Sequence, residues 1–188
     1  MPTLLLSKRS LLAATVVGAA LLAAGCGSSS DSTSTDASPT SEWADGLCTA
    51  INTWTTSISS IVDPIKSGDI SKDSLTTAVD DAKSATDTLT SDLEGLGKPD
   101  TEAGQQAKDS VGQLSTDLQA GVTTIQDALD SASGIAGIIT AAPVIVTTLG
   151  TMGTDVSSTI SSLQNIDAKG ELETAFKDAP SCSTLAGS

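Results

Sequence analysis

Apolar residues recur at steps of three and four along most of the chain beyond residue 42. Trp43, Leu47, Ile51, Trp54, Ile58, Ile61 and Ile65 step by 4, 4, 3, 4, 3 and 4, which puts them on one face of a helix. Ser41 suits its N-cap, Glu42 its first turn, and Pro64 and Gly68 mark its end. A second helix is predicted from Ser71, with the stripe Leu75, Val79, Ala82, Thr86, Leu89, Leu93 and Leu96. Thr86 is its one polar member, and Gly95, Gly97 and Pro99 stop it. The third starts near Thr101-Glu102 and carries Ala107, Val111, Leu114, Leu118, Val122, Ile125, Leu129 and Ala132. Gly104, Gly112 and Gly121 each weaken it by about 1 kcal/mol relative to Ala, so it needs packing to survive.

From Ser131 to Thr154 there is no charged residue. Ile135, Ile138, Ile139, Val144, Ile145, Val146 and Leu149 make this the most apolar part of the chain after residue 25. Pro143 lies in its middle, so the turn into the fourth helix is expected within 133–143. The fourth stripe is Leu149, Met152, Val156, Ile160, Leu163 and Ile166, and a short last helix is expected over 171–177 with Phe176 inward. Four amphipathic helices with short connections predict an all-α fold, an antiparallel up-and-down four-helix bundle with a short extra C-terminal helix. The expected organisation is 1–25 leader, 26–41 tether and 42–188 a single domain.

The N-terminal part follows a different pattern. Lys8-Arg9 precede an apolar run from Leu11 to Ala24, followed by Gly25-Cys26-Gly27. A basic start, a short apolar core and small residues at its end form a secretory signal peptide. The end of that core, Leu22-Ala23-Ala24-Gly25-Cys26, resembles a bacterial lipobox, with Ala23 where the family pattern prefers Leu. The resemblance implies cleavage after Gly25 and a diacylglycerol on Cys26. An ordinary cleaved leader would instead leave Cys26 free. Residues 27–41 are nearly all Ser, Thr, Asp and Gly, a composition that cannot bury a core and suits a tether reaching about 20 Å.

Given a lipidated Cys26, Cys48 and Cys182 remain as one pair, and export makes a disulfide between them the expected outcome. In an up-and-down bundle the start of the first helix and the end of the fourth share one side, so the topology permits that bridge. The lipobox, the Ser/Thr tether and a helical domain with Trp43, Cys48 and Trp54 early and Phe176, Pro180 and Cys182 late resemble the small cell-envelope lipoproteins of actinobacteria. The resemblance implies attachment to the outer face of the cell membrane. Most such proteins have no assigned activity, so it implies no functional residues.

Charge and composition narrow the chemistry. The formal charge of −14 becomes −16 once Lys8 and Arg9 are removed with the leader, and no Arg is then left. Such a surface repels nucleic acid. His and Tyr are absent from the whole chain, which excludes an imidazole base, a Ser-His-Asp or Cys-His arrangement and a His metal ligand. Pairing Cys48 with Cys182 removes the last thiolates. Trp43, Trp54 and Phe176 are the only aromatic residues, and the two Trp are read as core anchors rather than sugar platforms. The run 165–170 superficially resembles a calcium loop, but it has Asn165 first, Lys169 fifth and Phe176 at the twelfth position, where a bidentate Glu is required. Asp80-Asp81, Asp127 and Asp130 read as solvated helix faces.

No enzyme, cofactor or metal site is therefore expected. The expected function is a membrane-anchored, extracytoplasmic, non-enzymatic interaction or scaffold module contacting an envelope protein or lipid. The alternative is a carrier or sensor of an apolar, lipid-like ligand. The segment Ile135, Ile138, Ile139, Val144, Ile145, Val146 and Leu149 reads first as a buried corner of the bundle; exposed instead, it is the ligand or partner surface.

Overall fold

A computed structural model describes residues 37–68 and 70–185. The leader and Cys26 lie outside the described residues, as does the tether up to residue 36. The described residues form an all-α fold, with no strand among them: α1 (Pro39–Lys66), α2 (Lys72–Gly95), α3 (Gly104–Asp130), α4 (Gly134–Asn165), α5 (Glu171–Asp178) and a C-terminal 3-10 helix (Pro180–Thr184).

α1 starts earlier than its stripe predicts. Ser38, not Ser41, is the N-cap, and its Oγ accepts from the Ser41 amide at 3.1 Å. Pro39 takes the first helical position, where its missing N–H costs no intrahelical bond and its fixed φ already suits a helix. The helix also runs through Pro64 to Lys66, because a proline one turn from the end removes only one bond. α2 opens on Ser71 as expected. Ser71 Oγ accepts from the Ser74 amide at 3.0 Å, and Ser74 Oγ accepts from the Ser71 amide at 2.9 Å, a reciprocal box that satisfies two amides at once.

The α3–α4 connection differs most from expectation. It occupies 131–133, and α4 runs unbroken from Gly134 through Pro143. Proline inside a helix costs about 3 kcal/mol. Here the carbonyl it leaves free belongs to exposed Ile139, where water can reach it, while Ile138, Ala141, Ala142 and Ile145 bury one face of the same turns. That burial, at roughly 1.5–3 kcal/mol for each large side chain, outweighs the proline penalty.

α1 packs on α2, α2 on α3 and α3 on α4, while α4, α5 and the 3-10 helix pack back onto α1. Their stripes meet in one core, in which Leu47, Ile51, Leu75, Leu89, Leu114, Leu118, Ile125, Ile145, Leu149, Met152, Leu163 and Leu172 are fully buried. Two of the α3 glycines mark close approaches. A Cβ on Gly104 would stand 2.1 Å from the Pro99 carbonyl oxygen, and one on Gly121 would stand 2.7 Å from Met152 Sδ of α4. Gly112 faces open space.

Candidate functional site

The two paired cysteines are drawn together by the last turns of the chain. Cys48 of α1 and Cys182 of the 3-10 helix form a disulfide with Cα atoms 5.0 Å apart. Polar side chains from α1 fasten the same short helix around it. Asp45 Oδ1 accepts from the Ser181 amide at 2.8 Å, Thr49 Oγ1 donates to Ser181 Oγ at 2.9 Å, and Asn52 Nδ2 donates to the Ser181 carbonyl and to Thr184 Oγ1, both at 2.7 Å. Sequence reading passes over Asp45, Thr49 and Asn52. The signal is their spacing: 45, 49 and 52 step by four and three, a polar row running beside Cys48 on the helix. Next to this cluster, Trp43 meets Phe176 edge to face, with ring centroids 6.3 Å apart. Both aromatic rings are buried in the core.

The seven residues singled out in the apolar segment are divided by the helix they share. Ile138, Ile145 and Leu149 fill the core, and Val146 is partly buried against it. Ile135 is 82% exposed, Ile139 61% and Val144 40%. Ile135 and Ile139, one turn apart, form with Ala136 and Pro143 an exposed apolar stripe on the first turns of α4, while Val144, nine residues beyond Ile135, lies about half a turn round the helix from it. α4 is also long and apolar enough to cross a bilayer by length and composition, and one third of its most apolar stretch is buried within the fold.

A surface groove of about 470 Å³ runs between α1 and α2. Ala50, Trp54, Ile61, Ala85 and Leu89 form its floor, and Thr53, Ser57, Ser60, Ser84 and Thr88 its rim, with Asp81 and Asp92 also on α2. A second, smaller groove shares Ala50, Thr53 and Asp92 and continues toward Gly46 and Leu96. The buried Trp54 indole donates to Thr86 Oγ1 at 3.2 Å, away from the groove lining, which explains the polar residue in the α2 stripe.

The segment that superficially resembles a calcium loop has a structural task. Asp167 Oδ1 accepts from the Lys169 amide at 3.0 Å, and Oδ2 accepts from the amides of Glu171 at 3.0 Å and Leu172 at 3.2 Å. These bonds, the one from Lys169 foremost, hold its carboxyl below the usual Asp range against the opposing effect of burial. Asp167 therefore caps α5. The readable signal is an Asp three residues before a Gly that opens a helix. Among the described residues no group of three Cys, Asp or Glu converges in a way that would hold a metal.

No protein-family model matches this chain, and neither a curated protein nor a solved structure is significantly similar to it.

Proposed function

We propose that this chain is a lipid-anchored, non-enzymatic interaction module on the outer face of the cell membrane, of the kind its likeness to small actinobacterial envelope lipoproteins implies. The observation that carries the reading is the exposed stripe with Ile135 and Ile139, which stands in a charge-free segment of an otherwise strongly acidic chain. Uncharged apolar surface at one spot of a highly charged protein is where a partner can be met without burying carboxylates.

In this reading the four long helices form an antiparallel up-and-down bundle. Contacts at one end support that arrangement. The start of α1 reaches the C-terminal 3-10 helix through the disulfide, and Lys169, between α4 and α5, pairs with Glu102, between α2 and α3, at 2.8 Å. The stripe then belongs to the opposite end, about 42 Å away along the 28 residues of α1. The carrier reading is less favoured, because the core consumes Ile138, Ile145 and Leu149 and leaves only half of the apolar segment for a ligand.

A photo-reactive residue at position 135 of the membrane-attached protein tests the proposal. The expected result is one discrete protein adduct in cells, absent when the probe is moved to exposed Asp109. Adducts only to lipid would favour the carrier, and none at all would overturn a partner at this stripe. Intact mass of the membrane-extracted protein tests the anchor, which requires a diacylglycerol on an N-terminal Cys26.

A further inference from the structure

We propose that the groove between α1 and α2 is a binding site for a linear aliphatic polyamine. Four of the five hydroxyls on its rim have already committed their protons. Thr53 donates to the Thr49 carbonyl at 3.0 Å, Ser57 to Thr53 at 3.0 Å, Ser60 to Thr56 at 3.0 Å and Thr88 to Ser84 at 2.9 Å. These oxygens therefore face a ligand as acceptors. The one indole N–H of the floor is likewise spent on Thr86. Only Ser84 retains a free proton to donate.

The charges point the same way. Asp81 and Asp92 both line the groove and have no ion-pair or hydrogen-bond partner among the described residues, and no Lys lines it. The nearest cation on α2, Lys83, is paired with Asp87 on the opposite side of that helix. Asp81 and Asp92 are eleven residues apart on one face, about 16 Å along the helix axis. Between them the apolar floor of Ala50, Trp54, Ala85 and Leu89 suits methylene chains.

A ligand matched to this groove is long, narrow, apolar between its charges and made of donors only. A protonated tetraamine such as spermine has that constitution, and its extended length suits the span between the two carboxylates. An extended peptide fits less well, since its carbonyls would find one hydroxyl donor in the whole lining. The inference does not rest on the lipid anchor or on the apolar stripe of α4.

Titration of the purified protein with spermine and with 1,4-diaminobutane, followed by backbone amide shifts, tests the site. Shifts are expected to concentrate in 50–61 and 81–92, with spermine binding much tighter than the short diamine. The pair Asp81→Asn and Asp92→Asn should weaken spermine about tenfold, as expected for two exposed ion pairs. Removing the same charge far from the groove, with Asp127→Asn and Asp130→Asn, should leave binding nearly unchanged. Equal weakening by both pairs, or shifts spread over all the acidic faces, would show a diffuse counter-ion atmosphere and overturn the proposal. So would a lysine-rich peptide that binds the groove more tightly than spermine.

Discussion

Trp54 and Trp43 are both buried on α1, yet their indole N–H groups differ: that of Trp54 bonds to Thr86, and that of Trp43 has no partner among the described residues. Replacing Trp54 by Phe strands the Thr86 hydroxyl in the core, which costs about 1–3 kcal/mol beyond the lost volume. Trp43→Phe strands nothing. Urea unfolding of Trp54→Phe, Thr86→Val and the double variant should return a coupling on the order of 1 kcal/mol, and Trp43→Phe with Thr86→Val should return none. Asp167 gives a second test at this scale. Its carboxyl titrates lower in the folded chain than in the unfolded one, so its contribution is complete above the ordinary Asp range and is lost as pH falls through the lowered value. Melting curves should show Asp167→Asn less stable than the parent at neutral pH, with the gap closing below about pH 4. A gap of constant size across the acid range would remove the capping carboxylate as its source. Neither role is read from the sequence above, although the spacing of Asp167 and Gly170 carries a signal for the second. Thr86 reads as a flaw in a stripe and Asp167 as part of a failed calcium loop, because what each bonds to is fixed by the folded backbone.

At the scale of the helix, α3 shows how one residue type takes opposite roles. Gly112 faces open space, whereas Gly121 lets α4 bring Met152 against its backbone. Gly112→Ala should stabilise the protein by up to about 1 kcal/mol through helix propensity alone. Gly121→Ala gains the same propensity but overpacks the contact with Met152, at a cost of about 1–3 kcal/mol. Thermal melts of the two variants should therefore move in opposite directions. The helical stripes themselves were readable, since burial selects a 3.6-residue period whatever the partner helix. The ends were readable only where local chemistry decides them. Ser71 with Ser74 is such a case, but Pro143 reads as a breaker and sits inside α4 because burial along that helix outweighs its penalty. The α1–α2 groove was not readable, because Thr53, Ser57 and Ser60 have the composition of any solvated face until α2 is laid beside them.

For the molecule as a whole, the disulfide joins residues 134 apart in sequence. Closing so long a loop restricts the unfolded chain by about 5 kcal/mol in the chain-entropy model. That is a large share of the stability of an ordinary domain, and α-helices this rich in Ser and Thr contribute little propensity of their own. The urea midpoint should fall sharply when Cys48 and Cys182 are both replaced by Ser, by an amount corresponding to about 2–5 kcal/mol. An unchanged midpoint would mean that Asp45, Thr49 and Asn52 hold the C-terminal turn without covalent help. The pairing itself was legible from the cysteine count once Cys26 is assigned to lipid. The hydrogen bonds that seat it were not, as they depend on where the last turn lands.

The same bridge determines which cuts can separate the chain into pieces. A protease nicking the connections at 67–71, 96–103 or 131–133 leaves both fragments tied through Cys48–Cys182. Such a chain would run as one band on a gel without reductant and as two with it. Cleavage ahead of Pro39 instead leaves all the helices in one piece. In the anchored protein proposed above, shedding of an intact, still-folded domain would be governed by the short stretch before α1, and damage anywhere between the two cysteines would be retained rather than released.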